Sequence, residues 1–356
     1  MSIKTGDRTA RPASYFAIAA GLAAFGFVAM AARKHKKHSF NGDAVLITGG
    51  SRGLGLIMAR ALVKEGARVA IVARDEEEIA RAIDDLASIG GEVTGIICDV
   101  RSRTDAERAV AECVKRLGSI DCLINDAGII QTGPLETQTE KDFRDAMDTH
   151  FWGPFYTMQA AIEYMRSAGG GRMINISSIG GKIAVPHLAP YCASKFALAG
   201  LSSAMNAELA KDGIVVTTVY PGLMRTGSHI NAEFKGQHEK EFALFSLVNA
   251  MPVSSINAER AAEKVLEASR CGRAEIVISV QAKAAVTFNA LFPEAMSTIL
   301  ATTNRFLPGP GESGTAKFKG RESTSALSPS IFTAHIDEAS KENNESESGT
   351  RVLSSR

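Results

Sequence analysis

Short apolar runs alternate with amphipathic segments from residue 43 to about residue 280. After the first run, 44–47, apolar residues recur at helical spacing, at Leu54, Ile57, Met58, Ala61 and Leu62. The same alternation predicts further strands at 68–73, 93–98, 122–124, 173–176, 214–219 and 276–278. Further helices are predicted at 79–86, 106–117, 140–167 and from Tyr191 onward. Strands separated by such helices form parallel β-α-β units, so the pattern predicts an α/β fold with a doubly wound parallel sheet of about seven strands.

A glycine-rich turn joins the first predicted strand to the first predicted helix. It consists of Thr48, Gly49, Gly50, Ser51, Arg52, Gly53, Leu54 and Gly55. N–H groups at the start of a helix attract anions, and glycines allow a phosphate to approach the backbone. An ordinary tight turn is the alternative, but the strand before it and the amphipathic helix after it favour a dinucleotide site.

Ligands of doubly wound sheets bind beyond the carboxyl ends of the strands, so the residues after each strand are candidates. Arg74 follows the second strand, and Ala73 stands where an acidic residue would be expected to bind the ribose of NAD(H). With Arg52, Arg74 favours NADP(H), although solvated surface arginines are the alternative. Asp99 and Val100 follow the third strand, where Asp99 either contacts an adenine amino group or caps a helix. The polar turn after the fourth strand, which can pass beneath a cofactor, contains Asn125, Asp126, Ala127 and Gly128.

Residues suited to acid/base chemistry cluster after the fifth strand. Ser178 ends that strand, and Tyr191 and Lys195 lie four residues apart, so their side chains share one face of a helix. A phenol is a poor acid or base at neutral pH, but a neighbouring ammonium group and a positively charged nicotinamide would lower its pKa. The Ser178 hydroxyl could hold a substrate oxygen while the proton moves. A surface pair of helix residues is the alternative.

These motifs resemble those of the short-chain dehydrogenase/reductase family over roughly residues 43–280, which implies a single Rossmann-like domain. Thr48 to Gly55 matches the family's T-G-x-x-x-G-x-G motif, and Tyr191 with Lys195 matches its Y-x-x-x-K motif. The turn 125–128 resembles its N-N-A-G motif. The turn after the sixth strand, which in the family holds the nicotinamide carboxamide, is matched by Pro221, Gly222 and Thr226.

The resemblance implies hydride transfer between NADP(H) and a secondary alcohol or its ketone. It makes Tyr191 the general acid/base, Lys195 the residue that lowers its pKa and holds the nicotinamide ribose, and Ser178 the residue that orients the substrate oxygen. It also implies a homodimer or homotetramer formed through the long helices.

The chain departs from the family pattern at two positions. Asp126 stands where the family usually has a second Asn, and an extra carboxylate near the cofactor could weaken binding. His150 stands where the family has a catalytic Asn, which supports a water linked to the lysine. The histidine either keeps that role, through its carbonyl or as a proton relay, or is a structural substitute.

Residues 1–38 form an N-terminal hydrophobic segment with a basic flank, ahead of the predicted domain at 40–305. Residues 13–32 carry no charge and are long enough to span a membrane, and a basic cluster follows at 33–38. The larger basic cluster lies after the span, which favours a single-pass anchor with the domain on the cytosolic side. A cleaved signal peptide and a loosely associated helix are the alternatives.

The segment between Thr226 and Ser255, called the lid segment here, is rich in Phe, Leu and Met. These side chains either pack the lid segment on the core or line a pocket for a lipophilic alcohol or carbonyl substrate. Residues 306–356 are rich in Gly, Ser, Glu, Lys and Asn and are predicted to be disordered.

Composition narrows the choice of partners. The formal net charge of +1 gives no bulk field that would favour nucleic acid. The five cysteines lack metal-ligand spacing, so no metal site is predicted. Two other functions stay open: a catalytically silent NADP(H)-binding sensor or scaffold, suggested by Asp126 and His150, and a soluble 3-oxoacyl-type ketoreductase with a processed leader. The oxidoreductase hypothesis requires Tyr191 to face the cofactor crevice and the helix start at Gly53 to be open.

Overall fold

The computed structural model describes residues 37–251, 255–325 and 333–346. The predicted membrane anchor at residues 13–32 lies outside the described residues and stays a prediction. In chain order, the strands are β1 Ala44–Thr48, β2 Arg68–Ala73, β3 Val93–Ile97, β4 Cys122–Asn125, β5 Gln131–Thr132, β6 Gly171–Ile176, β7 Ile214–Tyr220, β8 Leu223–Arg225, β9 Glu233–Phe234, β10 Ser255–Asn257, β11 Glu275–Val277 and β12 Phe318–Lys319. The α-helices are α1 Gly53–Glu65, α2 Glu76–Ser88, α3 Arg103–Leu117, α4 Glu140–Met147, α5 Gly153–Ser167, α6 Ala189–Leu209, α7 His238–Ala250, α8 Ala258–Arg270, α9 Val280–Leu291, α10 Pro293–Asn304 and α11 Ala334–Glu342.

The predicted parallel sheet of seven strands is confirmed. Its order is β11-β7-β6-β4-β1-β2-β3, and every neighbouring pair is parallel. The chain builds outward from β1 to β3 on one side and then crosses to β4 on the other. The order therefore reverses between β1 and β4, and their carboxyl ends border the crevice in which ligands of such sheets bind.

Helices cover both faces of the sheet, so two hydrophobic cores form. Alternate residues of β1 point to opposite faces: Val45 and Ile47 join the core beneath α1 and α8, and Leu46 joins the core beneath α3 and α5. This two-sided burial explains why the strands read as continuous apolar runs. The fold class is that of a Rossmann-like α/β protein.

The long helical segment predicted at 140–167 is confirmed in its bounds, but it is not a regular α-helix throughout. Two helices, α4 and α5, are joined by a π turn at Asp148–Trp152 that contains His150. Pro154, in the first turn of α5, has no N–H to donate to the carbonyl four residues back, at His150, and the backbone takes a wider turn there.

The prediction of disorder beyond residue 306 is wrong for the described part of that region. Strand β12 pairs antiparallel with β9 of the lid segment, and α11 ends in residues that contact the core domain. Composition pointed to disorder because the region is poor in apolar residues. It is held instead by ion pairs and hydrogen bonds, such as Lys319 to Glu233 at 3.0 Å and Arg60 to Asn343 at 3.0 Å.

No single helix among the described residues has both the length and the apolar character needed to cross a membrane. One bent pair, α9 and α10, meets the length and composition criteria jointly, with an angle of 118° between the two helices. The bend falls at Phe292 and Pro293, as the proline in the sequence suggests.

Candidate active site

The turn after β1 is a cradle that only glycines can form. Gly49 has a φ of +72°, and a Cβ there would lie 2.9 Å from the backbone of Ala127. A Cβ on Gly55 would lie 2.2 Å from the carbonyl oxygen of Gly49. Helix α1 begins at Gly53, and its N-cap residue Arg52 makes no side-chain capping bond. Arg52 therefore does not cap the first-turn N–H groups; that of Gly53 donates to the Asn343 carbonyl and that of Gly55 to the Asp126 carboxyl group.

Thr48 ties this turn to the end of β4. Its hydroxyl accepts hydrogen bonds from the backbone N–H groups of Asp126 and Ala127, at 3.2 and 3.3 Å. Thr48 is buried, as are Ser51 and Leu54, whereas Gly128 is exposed at the same edge. The predicted residues of the glycine turn and of the turn after β4 thus meet at one edge, with Thr48 as a support beneath them.

Asp126 resembles in charge the Asn that the family usually has at this position. Its carboxyl group accepts a hydrogen bond from the backbone of Gly55. Burial raises the pKa of Asp126 to about 8, against the opposing attraction of Lys195. Near neutral pH the group is therefore largely protonated, and it adds little negative charge to the crevice.

The side chain of Asn125 lies in the interior, so any contact of this residue with a cofactor would be made by its backbone. Its amide donates to the Asn175 carbonyl oxygen at 2.8 Å, and its own oxygen accepts from the Thr157 hydroxyl at 2.7 Å. Asn175 in turn donates to the Ser202 hydroxyl at 2.9 Å. This buried network joins β4 and β6 to α5 and α6, so Asn125 supports the site from below.

His150 is a neutral, buried side chain with both ring nitrogens engaged. Nε2 accepts a hydrogen bond from the Ile129 N–H at 3.1 Å, which assigns the proton to Nδ1, 2.7 Å from the Ser194 hydroxyl. Burial, with a contribution from Lys195, keeps the pKa of His150 well below its ordinary value. This arrangement favours the structural role for His150 over the ring as a proton relay.

Ser178, Tyr191 and Lys195 converge at the carboxyl end of β6. The Ser178 hydroxyl hydrogen-bonds with the Tyr191 phenol and accepts from the Gly180 N–H at 3.0 Å. The Lys195 amine lies 5.7 Å from the centre of the Tyr191 ring and donates to the Ile176 carbonyl at 2.8 Å. The His150 ring packs edge-on against Tyr191, at 5.4 Å between ring centres. The structure thus brings together the three side chains that the hypothesis assigns to acid/base chemistry.

The pKa values here are governed by burial. Burial raises the pKa of Tyr191 to about 12, opposed by the Ser178 hydrogen bond, and lowers the pKa of Lys195 to about 8, opposed by Asp126. The lowering of the phenol pKa expected from Lys195 does not arise from the protein's own groups, because the amine is directed at the Ile176 carbonyl.

The two arginines expected at the adenosine ribose differ in their surroundings. Arg52 lies 3.7 Å from a Glu78 oxygen and 3.3 Å from a Glu345 oxygen. Arg74 is exposed at the end of β2, near Asp99. Asp99 pairs with Arg101 at 2.6 Å, and Ser102 rather than Asp99 caps α3. The contact of Asp99 with an adenine amino group stays a prediction.

The remaining predicted cofactor residues lie at the same edge of the sheet or support it. Val100 is buried against Gly153, where an added Cβ would come within 3.0 Å of its side chain. The Pro221 carbonyl accepts from the Ile179 N–H at 2.7 Å, and Gly222 follows it. Thr226 is buried, and its hydroxyl donates to the Ser228 hydroxyl at 3.0 Å.

Sequence reasoning missed the C-terminal residues 343–345, which cover the start of α1. The Gly53 N–H donates to the Asn343 carbonyl at 2.9 Å, and Asn344 donates to the Ser51 carbonyl at 2.9 Å. The second requirement of the hypothesis, an open helix start, is therefore not met. The asparagine itself is a local signal in the sequence, because asparagine often takes the left-handed conformation just after a helix. Asn344 does so after α11, with a φ of +55°.

Comparison with known proteins places the chain in a family. Residues 43–235 match the short chain dehydrogenase family. A protein of Streptomyces coelicolor that bears the name of a ketoacyl reductase is 39% identical over 186 residues, 52% of this chain and 71% of the relative. An A-factor type gamma-butyrolactone 1'-reductase of Streptomyces virginiae is 38% identical over 184 residues, 51% of this chain and 71% of the relative.

A solved structure agrees with these matches. The crystal structure of a short-chain type dehydrogenase/reductase from Mycobacterium marinum is 29% identical to this chain, with a TM-score of 0.59, and the match covers 67% of this chain and 94% of that one. The chain therefore belongs to the short-chain dehydrogenase/reductase family.

Proposed function

We propose that this protein is an NADP(H)-dependent oxidoreductase that interconverts a secondary alcohol and its ketone. The observation that carries the proposal is the convergence of Ser178, Tyr191 and Lys195 beside the glycine turn. When bound, the nicotinamide supplies or takes up the hydride. The protein's part is to hold the substrate oxygen and to move one proton.

Each of the three side chains has a distinct task. The Ser178 hydroxyl, already bonded to the phenol, holds the substrate oxygen next to Tyr191. Tyr191 transfers the proton between its phenol and that oxygen. Lys195, anchored on the Ile176 carbonyl, lies beside the phenol and would hold the nicotinamide ribose.

The reductive direction fits the phenol better than the oxidative one. Because burial raises the pKa of Tyr191 to about 12, the phenol carries its proton at neutral pH. A protonated phenol is the form that can donate to a carbonyl oxygen as it becomes an alkoxide. The names of both relatives described above are those of reductases, which supports the same direction.

The glycine turn and the two arginines would hold the cofactor. Gly49 and Gly55 let the turn pack closely on neighbouring backbone, and Arg52 and Arg74 offer positive charge for a 2′-phosphate. The Gly53 N–H at the start of α1 would be available to a pyrophosphate once it is released from the Asn343 carbonyl. The family uses nicotinamide cofactors, and the arginines are the reason to propose NADP(H) in particular.

The lid segment supports a lipophilic substrate. Phe234 and Phe242 are buried and pack the segment on itself, as the simpler interpretation holds. Leu244, Leu247 and Met251 on and after α7 are exposed, and they supply the apolar surface that such a substrate would meet. Ketoacyl compounds are a natural part of the first substrate panel, given the name of one relative.

The proposal is tested by Tyr191→Phe. We expect this variant to lose NADPH-dependent turnover of lipophilic ketones by at least about a hundredfold, because the proton donor is gone. NADPH binding, followed by fluorescence titration, should stay within about twofold of the wild-type value. Tyr164→Phe, at an exposed tyrosine, is the matched control.

Full turnover by Tyr191→Phe would remove Tyr191 from its role. NADPH binding without turnover by the wild-type chain on a broad ketone panel would favour the sensor or scaffold function instead.

We also propose that residues 13–32 anchor the protein in a membrane, with the domain on the cytosolic side. The uncharged stretch, the basic cluster after it and the exposed apolar residues Val280, Leu291 and Phe292 of the bent helix pair support this. We expect the full chain to stay with membranes through a high-salt wash and a variant beginning at residue 39 to be released. Equal partitioning of the two would contradict the anchor.

A further inference from the structure

A carboxylate of the chain itself lies against the glycine turn, at the start of α1. Glu345 is 7% exposed, and one of its oxygens lies 2.6 Å from the position that a Cβ on Gly53 would take. Its other oxygen lies 3.3 Å from the Arg52 guanidinium. The Gly53 N–H is bonded to the Asn343 carbonyl. The cation and the helix-start donor that an anion would use therefore both hold C-terminal residues.

The same segment also contacts the opposite wall of the crevice. Asp337 lies 3.1 Å from His229, and the Asn231 amide donates to Glu345 at 2.7 Å. The Asn343 amide donates to the Thr226 carbonyl at 3.3 Å. Residues 333–346 thus bridge the glycine turn and the start of the lid segment, between which a dinucleotide is proposed to lie.

Polar contacts dominate this docking. Arg60 donates to Asn343 at 3.0 Å, Arg81 donates to Asn344 at 2.8 Å, and Asn344 donates to the Glu78 carbonyl at 3.0 Å. Ile336 is the only fully buried apolar side chain among the described residues of α11. Contacts of this kind can exchange for contacts with another anion without disrupting a hydrophobic core.

We propose that the C-terminal segment 333–346 is a built-in competitor of the cofactor, with the Glu345 carboxylate in the place of a phosphate. The segment and NADPH then exclude each other from the glycine turn, and the docked form of the protein is autoinhibited. This inference rests on NADP(H) as the proposed cofactor.

With this competition, the apparent Kd for NADPH equals the Kd of the undocked form divided by the fraction of molecules that are undocked. If the segment is docked for about nine tenths of the time, removing it tightens the NADPH Kd about tenfold. Glu345→Gln keeps the size of the side chain and removes the charge that pairs with Arg52. We expect that variant to tighten the Kd by about threefold to tenfold.

The experiment compares NADPH Kd values from fluorescence titration of four proteins: wild type, Glu345→Gln, a chain ending at residue 332, and Glu342→Gln. Glu342 is exposed at the end of α11, so its variant controls for the loss of one negative charge from the segment. Tighter binding by the truncated chain and by Glu345→Gln, with no change in Glu342→Gln, is the expected result. Hydrogen exchange provides a second readout, since NADPH should speed exchange in residues 334–344 of the wild type.

Equal NADPH Kd values for the wild type, the truncated chain and Glu345→Gln would overturn the inference and leave the proposed function intact. Slower exchange in residues 334–344 on addition of NADPH would overturn it as well, because the segment would then be part of the binding site. Failure of every form, the truncated chain included, to bind NADPH would overturn the inference together with the proposed cofactor.

Discussion

At the scale of single residues, burial changes the charge that Asp126 contributes to the site. The family usually has Asn at this position, yet burial raises the pKa of Asp126 to about 8, so its protonated carboxyl resembles an amide near neutral pH. Between about pH 4 and pH 8 the folded protein holds a proton here that the unfolded chain releases. The free energy of unfolding therefore falls as the pH rises through this window.

Asp126→Asn should remove that pH dependence. We expect the variant to gain stability relative to the wild type as the pH rises from about 4 to 8, and to exceed it by more than about 1 kcal/mol at pH 8. Urea unfolding of both proteins across this range measures the difference. Asp84→Asn, at an exposed position, controls for the loss of an acidic side chain. A difference that does not change with pH would show that Asp126 ionises normally.

At the scale of elements, the strands that local runs of apolar residues predict are confirmed. Strands β2 and β7 appear at 68–73 and 214–220, where apolar runs predicted them, because a strand buried on both faces needs such a run. The helical segment predicted at 140–167 is present, but apolar periodicity does not predict the π turn inside it. Apolar spacing continues on both sides of the π turn, and only Pro154 marks the change.

In the candidate site too, features that depend on nearby sequence are predicted, and features that depend on distant residues are not. Ser178, Tyr191 and Lys195 were found because strand ends and helix spacing bring them to one edge of the sheet. The inward turn of Asn125 depends on Asn175 and Thr157, which the strand pattern does not single out. The C-terminal segment was missed because its polar side chains find partners such as Arg60, more than two hundred residues away in sequence.

At the scale of the whole molecule, one buried ion cluster joins three distant parts of the chain. Asp142, at the start of α4, pairs with Lys235 after β9 and, at 2.9 Å, with Lys317 before β12. Burial alone would raise the pKa of Asp142, but the two lysines hold it below its usual range. The core domain, the lid segment and the C-terminal region therefore share a single carboxylate.

The two lysines should contribute unequally to stability. Lys235 and Asp142 are both fully buried, at 2% and 0% exposure of their side chains, so Lys235→Met leaves a buried charge with less compensation and should cost about 3–5 kcal/mol. Lys317 is 30% exposed, and water screens its charge, so Lys317→Met should cost about 1 kcal/mol or less. Urea unfolding measures both. Because each lysine partly compensates for loss of the other, the double variant should cost more than the sum of the two single variants. Equal costs for the single variants would mean that burial of the lysine does not decide how much it stabilises the carboxylate.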